Sequence, residues 1–340
     1  GFESLPDMKS IDIFAEHKGN YSLNDKVFNA HQKCANGNDK MVYYVASRFN
    51  LPKNFKDMVY LSQVTQNECI ADATEHWRRN KGRCNGSMYW QLNDCWGVCS
   101  WSSIDYYGNY KALQYGARHF NAPVSVSIEN TEEYIKLFVL NDLKEKQDVT
   151  VTYDIFDFVS GTKQSDKKDI SIDAVKNELV FELDVKSLAK AYDLKRTGVA
   201  VELLQQKTVL FDKEKKLNLP KAKLKTRIEI KEDRLDITVK SDAYARLVKL
   251  ESADSVLPFS DNFFDILPND SKKVMIYKDS SMSLRKLAES ITVYSLCDIK
   301  FSKDKIDTLL KQAKVFISPV NISNALYHGK IAKDVELCDD

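Results

Sequence analysis

Residues 86–120 read GSMYWQLNDCWGVCSWSSIDYYGNYKALQYGARHF, and this stretch decides the fold. It holds Trp90, Trp96 and Trp101; the remaining tryptophan of the chain, Trp77, stands just before it. Met88, Trp90 and Leu92 alternate with Tyr89, Gln91 and Asn93, a period of two that predicts a strand. In NYKALQYGARHF, Tyr110, Leu113 and Ala117 fall on one helical face. Upstream, from Met58, the run MVYLSQVTQNECIADATEHWRRNK places apolar or small residues at Val59, Val64, Ile70, Ala73 and Trp77. Its basic end suits a helix C-terminus, so the spacing predicts a helix there. Gly82 and Gly86 bracket a turn. Helix, strand, loop, helix is the order of an α/β architecture.

Aromatic residues on a strand are ordinarily core. This strand, however, ends in Gln-Leu-Asn-Asp, which puts amides and a carboxylate at its C-terminal end. In an α/β barrel that end carries the active site. Indole faces beside amide and carboxylate groups suit a sugar: the apolar face of the pyranose stacks, and its hydroxyls take hydrogen bonds from fixed polar groups.

After Pro123 the character changes. SVSIENTEEYIKLFVLND, DVTVTYDIFDF, ELVFELDV and GVAVELLQQKTVLF show short alternations of β-branched or aromatic residues, separated by turn-forming residues. This pattern predicts a sandwich of roughly 100 residues. KLNLPKAKLK reads as a linker. KTRIEIKE, RLDITVKS, ARLVKLES, KKVMIYKD and ESITVYSLCD then predict a second sandwich, and KIDTLLKQAKVF with ISNALYHGKIAKDV a tail of short helices.

The 340 residues carry a net charge of +1, with 43% hydrophobic and 29% charged residues. That length accommodates two or three domains, and that hydrophobic content supports folded cores. The balanced charge leaves no electrostatic footprint for nucleic acid and no polybasic pull toward a membrane. There is no apolar run of membrane-spanning length, and the opening GFESLPDMKSIDIFAEHK lacks the pattern of a signal peptide. The seven scattered cysteines form neither a disulfide framework nor a tetrahedral zinc set, so free thiols in a reducing, cytoplasmic setting are expected, without metal or cofactor.

MYWQLNDCW, SWSSIDYYG and KALQY closely resemble the end of the catalytic barrel in β-mannosidases of glycoside hydrolase family 2. DMVYLSQVTQNECIADATEHWRRNK resembles the preceding barrel helix, and LPFSDNFFDILPNDSKKVMI the last immunoglobulin-like domain of those enzymes. The resemblance thins after about residue 303. It departs at Gly97, where the family usually has Pro; this loosens the loop without removing a functional group. The resemblance implies a multidomain α/β plus all-β chain: the C-terminal portion of a TIM (β/α)8 barrel over residues 1–121, then two immunoglobulin-like β-sandwich domains over 122–220 and 221–303, then the tail at 304–340.

The implied activity is a retaining exo-β-mannosidase acting on terminal β-D-mannose of oligosaccharides. The opening Gly1 looks like the glycine of the family's nucleophile motif, so both catalytic Glu are expected upstream of Gly1 and the fragment is expected to be inactive alone. Glu3 is a poor substitute, since the family tolerates Gln there. Glu68 and Glu75, seven apart on the predicted helix, read as a solvated face. The expected substrate-binding residues are Trp90 as stacking platform, Asn93 and Asp94 as sugar ligands or loop braces, and Trp96 and Trp101 lining the entrance. The expected partners are a β-mannoside oligosaccharide and the missing N-terminal part of the barrel, with an open barrel edge on which a second copy would pair. Two alternatives stand beside this: a related family 2 enzyme such as an exo-β-glucosaminidase, and a non-catalytic carbohydrate-binding or assembly module. Neither sandwich contains a Trp on which such a module would stack a sugar.

Overall fold

The computed structural model describes residues 1–302 except His17, Lys18, Asn20, Asp254, Val256, Asp279, Ser280 and Ser281. The helical tail expected at 304–340 lies outside the described residues. The described residues divide into two compact units: residues 1–67, 90–113 and 299–302, and residues 68–89 with 114–298.

The first unit opens with α1 (Met8–Phe14), whose N-cap Asp7 accepts a hydrogen bond from the Lys9 amide. Next come α2 (Lys26–Ala30) and α3 (Gly37–Arg48), then the start of α4 (Phe55–Arg79). Residues 58–66 of α4 are all buried, so this part of the helix has no solvated face. A helix enclosed on every side must satisfy its polar side chains internally. Ser62 Oγ accepts from the Leu5 amide at 3.1 Å, Gln63 Nε2 donates to Leu5 O at 3.2 Å, and Gln66 Nε2 donates to Phe2 O at 2.7 Å. The polar residues that interrupt the apolar pattern of α4 therefore anchor the extended segment 2–5. The helix expected from Met58 is present, three residues longer at its start.

The strand expected at 87–93 does not form. A strand exists only where a neighbour takes its backbone groups. Here the segment meets a few isolated partners: Gln91 N donates to Trp101 O at 3.1 Å, and Asn93 forms a single bridge with Ile104. Its alternating apolar side chains face solvent, with Met88 98%, Trp90 64% and Leu92 56% exposed. The Trp90–Gln91 peptide is cis. Downstream, α5 (Ala112–Phe120) forms as expected, with Leu113 and Ala117 buried. Tyr110 precedes the helix and is only half-buried.

The second unit contains two sandwiches. In the first, β1 (Val124–Asn130), β2 (Tyr134–Asn141) and β5 (Lys176–Asp184) form a sheet in the order β1-β2-β5. The other sheet joins β3 (Gln147–Asp157), β4 (Gly161–Ile172), β6 (Thr197–Glu202) and β7 (Gln206–Leu210) in the order β4-β3-β6-β7. Val126, Leu137, Val139 and Val180 from one sheet meet Val151, Ile155, Val199 and Val201 from the other in a single core, which Leu188 of α6 (Val185–Ala191) closes. Sequence periodicity misses β4. Eight consecutive residues of this edge strand are exposed, and many are charged, so no alternation is visible. Charge on an edge strand opposes edge-to-edge association.

The second sandwich places β8 (Leu224–Ile230), β9 (Arg234–Ser241) and β12 (Ser271–Tyr277) in one sheet. It faces β10 (Ala245–Ser252), β11 (Phe264–Ile266) and β13 (Ile291–Tyr294). Leu235, Ile237, Val239 and Ile276 pack against Val248, Leu250 and Ile266, with Leu287 of α7 (Leu284–Ser290). The stretch read as a linker is not free: Leu217 and Leu219 pack on Phe156, Phe158, Leu210 and Tyr244, joining the two cores.

Glu68 and Glu75 are not on a solvated face. Glu75 is 9% exposed and pairs with Lys207, while Glu68 Oε1 lies 2.9 Å from Arg246 Nη2. The same guanidinium reaches Glu214 at 3.1 Å and Asp265 at 2.7 Å. These carboxylates come from α4, from the connection between the sandwiches and from β11, so their meeting is invisible to a local reading. Among the described residues, no helix is long and apolar enough to cross a membrane.

Candidate functional site

The loop 90–111 of the first unit is organised by two buried carboxyls. Asp94, 6% exposed, accepts from Gln91 Nε2 at 2.9 Å, Ser100 Oγ at 2.7 Å and Ser102 Oγ at 2.6 Å. Asp105, 2% exposed, accepts from Ser10 Oγ at 2.5 Å and from the amides of Asp7, Tyr107 and Asn109. Burial raises the Asp105 carboxyl above its ordinary range, against these hydrogen bonds. Lys111 is 1% exposed, and its ammonium has Ser100 O at 3.2 Å. Burial draws it down to about 8, while Asp94, Asp105, Cys99 and Glu3 pull the other way.

Glu3 joins this set. The Ser4 amide donates to Ser100 O at 3.0 Å, which ties the N-terminal segment to the loop. Glu3 is 7% exposed, and Glu3 Oε1 has no hydrogen-bond partner among the described residues. Burial pushes its carboxyl up to about 7 from an ordinary 4.5, against the attraction of Lys111 and Lys40.

The structure gives the expected site residues different surroundings. Trp90 is largely exposed, and its carbonyl lies against Gly1, which also abuts the half-buried Trp101. Asn93 is exposed beside its bridge to Ile104. Trp96, 37% exposed, meets the His31 ring at 5.0 Å and lies under the Lys33 ammonium at 5.6 Å. Among the described residues, none of these indoles stacks on another. His31 stacks on Phe14 at 4.6 Å and donates from Nδ1 to Gly97 O. His31, Asp105 and Lys111 carry no local signal of these roles, because Gly97 for His31, Ser10 and Asp7 for Asp105, and Ser4 for Lys111 lie far along the chain.

The loop tests as a unit. Asp94→Asn replaces an acceptor oxygen with a donor that faces a serine hydroxyl. A loss of about 1–2 kcal/mol is expected. Thermal unfolding would read it as a midpoint lowered by a few degrees; an unchanged midpoint would remove Asp94 from the framework.

Residues 133–221 match the model of a mannosidase Ig/CBM-like domain, and residues 219–299 an Ig-fold domain model of mannosidases. The chain is 27% identical to a β-mannosidase of Bos taurus over 88% of its own length and 37% of that protein. It is 32% identical to a β-mannosidase of Capra hircus over 45% of its length and 19% of that protein. Among solved structures, a β-D-mannosidase from Dictyoglomus thermophilum superposes with a TM-score of 0.79 at 26% identity, covering 87% of this chain and 36% of that one. The exo-chitosanase CsxA of Amycolatopsis orientalis shares the fold, with a TM-score of 0.63 at 15% identity over 86% of this chain and 40% of that one. With matches that cover most of this chain and little more than a third of the Bos taurus protein, the chain is a relative of the β-mannosidases.

Proposed function

We infer that the chain is the C-terminal part of a retaining, exo-acting β-mannosidase of glycoside hydrolase family 2. Residues 1–121 belong to its catalytic TIM barrel, and 122–220 and 221–303 are its two trailing immunoglobulin-like domains. Similarity to β-mannosidases along 88% of the chain carries this reading. The exposed Trp90 beside the Asp94 framework supports it locally.

In such an enzyme one Glu attacks the anomeric carbon and a second protonates the leaving oxygen, the two about 5–5.5 Å apart; water then releases the sugar. Both glutamates belong upstream of Gly1, and this chain contributes the sugar-binding wall. Trp90 supplies a flat apolar face for the pyranose, and Asn93 and Trp101 border it. Asp94 braces: Gln91, Ser100 and Ser102 already donate to its two oxygens, so its role is to hold the loop that presents Trp90. The upstream part of the barrel covers the apolar side chains at 88–92. Without it a second copy of the chain pairs there.

The test is hydrolysis of an aryl β-mannoside by this chain and by a version extended upstream through the barrel. Turnover by the extended protein alone is the expected result. Within the extended protein, Trp90→Ala should lower kcat/KM on the order of 10²-fold, because a buried aromatic contact is worth about 2–3 kcal/mol. Turnover by the short chain would overturn the placement of the nucleophile.

A further inference from the structure

Where α2 gives way to α3, the first unit encloses a concavity of about 420 Å³, within the size range of small-molecule sites. Five of its lining residues carry carboxamides: Asn24, Asn29, Gln32, Asn36 and Asn38. Two of these form a fixed wall. Gln32 Nε2 donates to Asn38 Oδ1 at 2.7 Å, Gln32 Oε1 accepts from the Cys34 amide at 3.0 Å, and Asn38 Nδ2 donates to Leu23 O at 3.3 Å. Gly37 lets this wall close on Glu3: a Cβ there would lie 2.3 Å from Glu3 Oε2 and 2.7 Å from Gln32 Oε1.

Asn29 and Asn36 are exposed on this concavity. Asn36 holds a left-handed conformation at the N-cap of α3, and its side chain makes no capping bond. Each of the two carboxamides therefore offers a donor and an acceptor to a ligand. Lys33, also on the lining, holds its ammonium over the Trp96 ring, 5.6 Å from the ring centre. Anions and apolar ligands fit this lining poorly. An anion would meet Asp39 on the wall and the Glu3 carboxyl behind Gly37, and an apolar ligand would find only Leu23 and Ala35 for contact. Paired donors and acceptors without dominant charge match a neutral, hydroxyl-rich molecule.

We propose that this concavity binds a neutral saccharide unit, held by Asn29 and Asn36 and separate from the Trp90 face. The choice of mannose as that unit rests on the glycosidase reading; the saccharide class rests on the carboxamide lining. Titration of the full chain with mannotriose, followed by amide NMR shifts, tests it. In a Trp90→Ala background the residues around α2 and α3 should still shift, with unchanged affinity. Adding Asn29→Ala and Asn36→Gly should weaken binding at least tenfold; Gly is at home in the left-handed conformation, so the fold is kept. Loss of all binding with Trp90→Ala, unchanged affinity in the Asn29/Asn36 variant, or displacement of the sugar by inorganic phosphate would each overturn the proposal. Equal binding of cellotriose would uphold the saccharide site and count only against the mannoside reading.

Discussion

Arg246→Ala is expected to destabilise the sandwich unit by about 3–5 kcal/mol, the cost of breaking a buried ionic cluster from one side. The guanidinium is 11% exposed and holds Glu68, Glu214 and Asp265. Asp265 also accepts from Tyr244 Oη at 2.7 Å and from the Leu247 amide at 2.7 Å. Removing the arginine strands three carboxylates in a region that cannot solvate them. Arg246→Lys should fall between, since an ammonium lacks the planar fork that reaches several carboxylates at once. Urea unfolding followed by far-ultraviolet circular dichroism reads the effect as a lower midpoint at unchanged slope. A destabilisation below about 1 kcal/mol would show that the cluster is screened like a surface pair.

Glu3→Gln is expected to stabilise the protein above neutral pH and to leave it unchanged in acid. The carboxyl titrates at about 7 in the folded chain against an ordinary 4.5. Below 4.5 both states are protonated and Glu3 costs nothing. As pH rises from 4.5 through 7 the unfolded chain ionises first, so stability falls. Above that window the accumulated penalty is about 3 kcal/mol, since each tenfold change in proton affinity is worth about 1.4 kcal/mol. Glutamine keeps the shape and cannot ionise, so the variant should lack this decline. Lys111 acts in the opposite sense: drawn down to about 8 from 10.5, it adds stability as pH rises between those values. Unfolding of both proteins at pH 5 and pH 8 separates the two groups. Parallel losses in parent and variant would show that Glu3 is solvated.

Most elements of the fold are legible in the sequence, but few of their neighbours are. Alternation in IKLFVL and LDITV placed the core strands β2 and β9, whose apolar residues Ile135, Leu137, Val139, Leu235, Ile237 and Val239 are all buried. The same rule failed at MYWQL, where the alternation is present but, among the described residues, no strand lies alongside to take the backbone hydrogen bonds. It failed again at TKQSDKKD, where an edge strand needs charge rather than alternation. The helix dipole and apolar spacing of α4 were legible, yet its glutamates were misread because their partners, Arg246 and Lys207, are far along the chain.

At the candidate site the division is the same. By itself the sequence determined which residue types stand together on one loop: three indoles, the carboxamides of Gln91 and Asn93, and Asp94, a composition suited to a sugar. It also determined that two β-sandwiches follow, because strand alternation and turn chemistry are local properties. Only the tertiary structure decided that Asp94 is buried and accepts from Gln91, Ser100 and Ser102, that Glu3 and Lys111 are buried with opposite shifts, and that one arginine holds three carboxylates. Those outcomes depend on desolvation and on partners brought together from distant positions, and neither has a signature within a window of sequence.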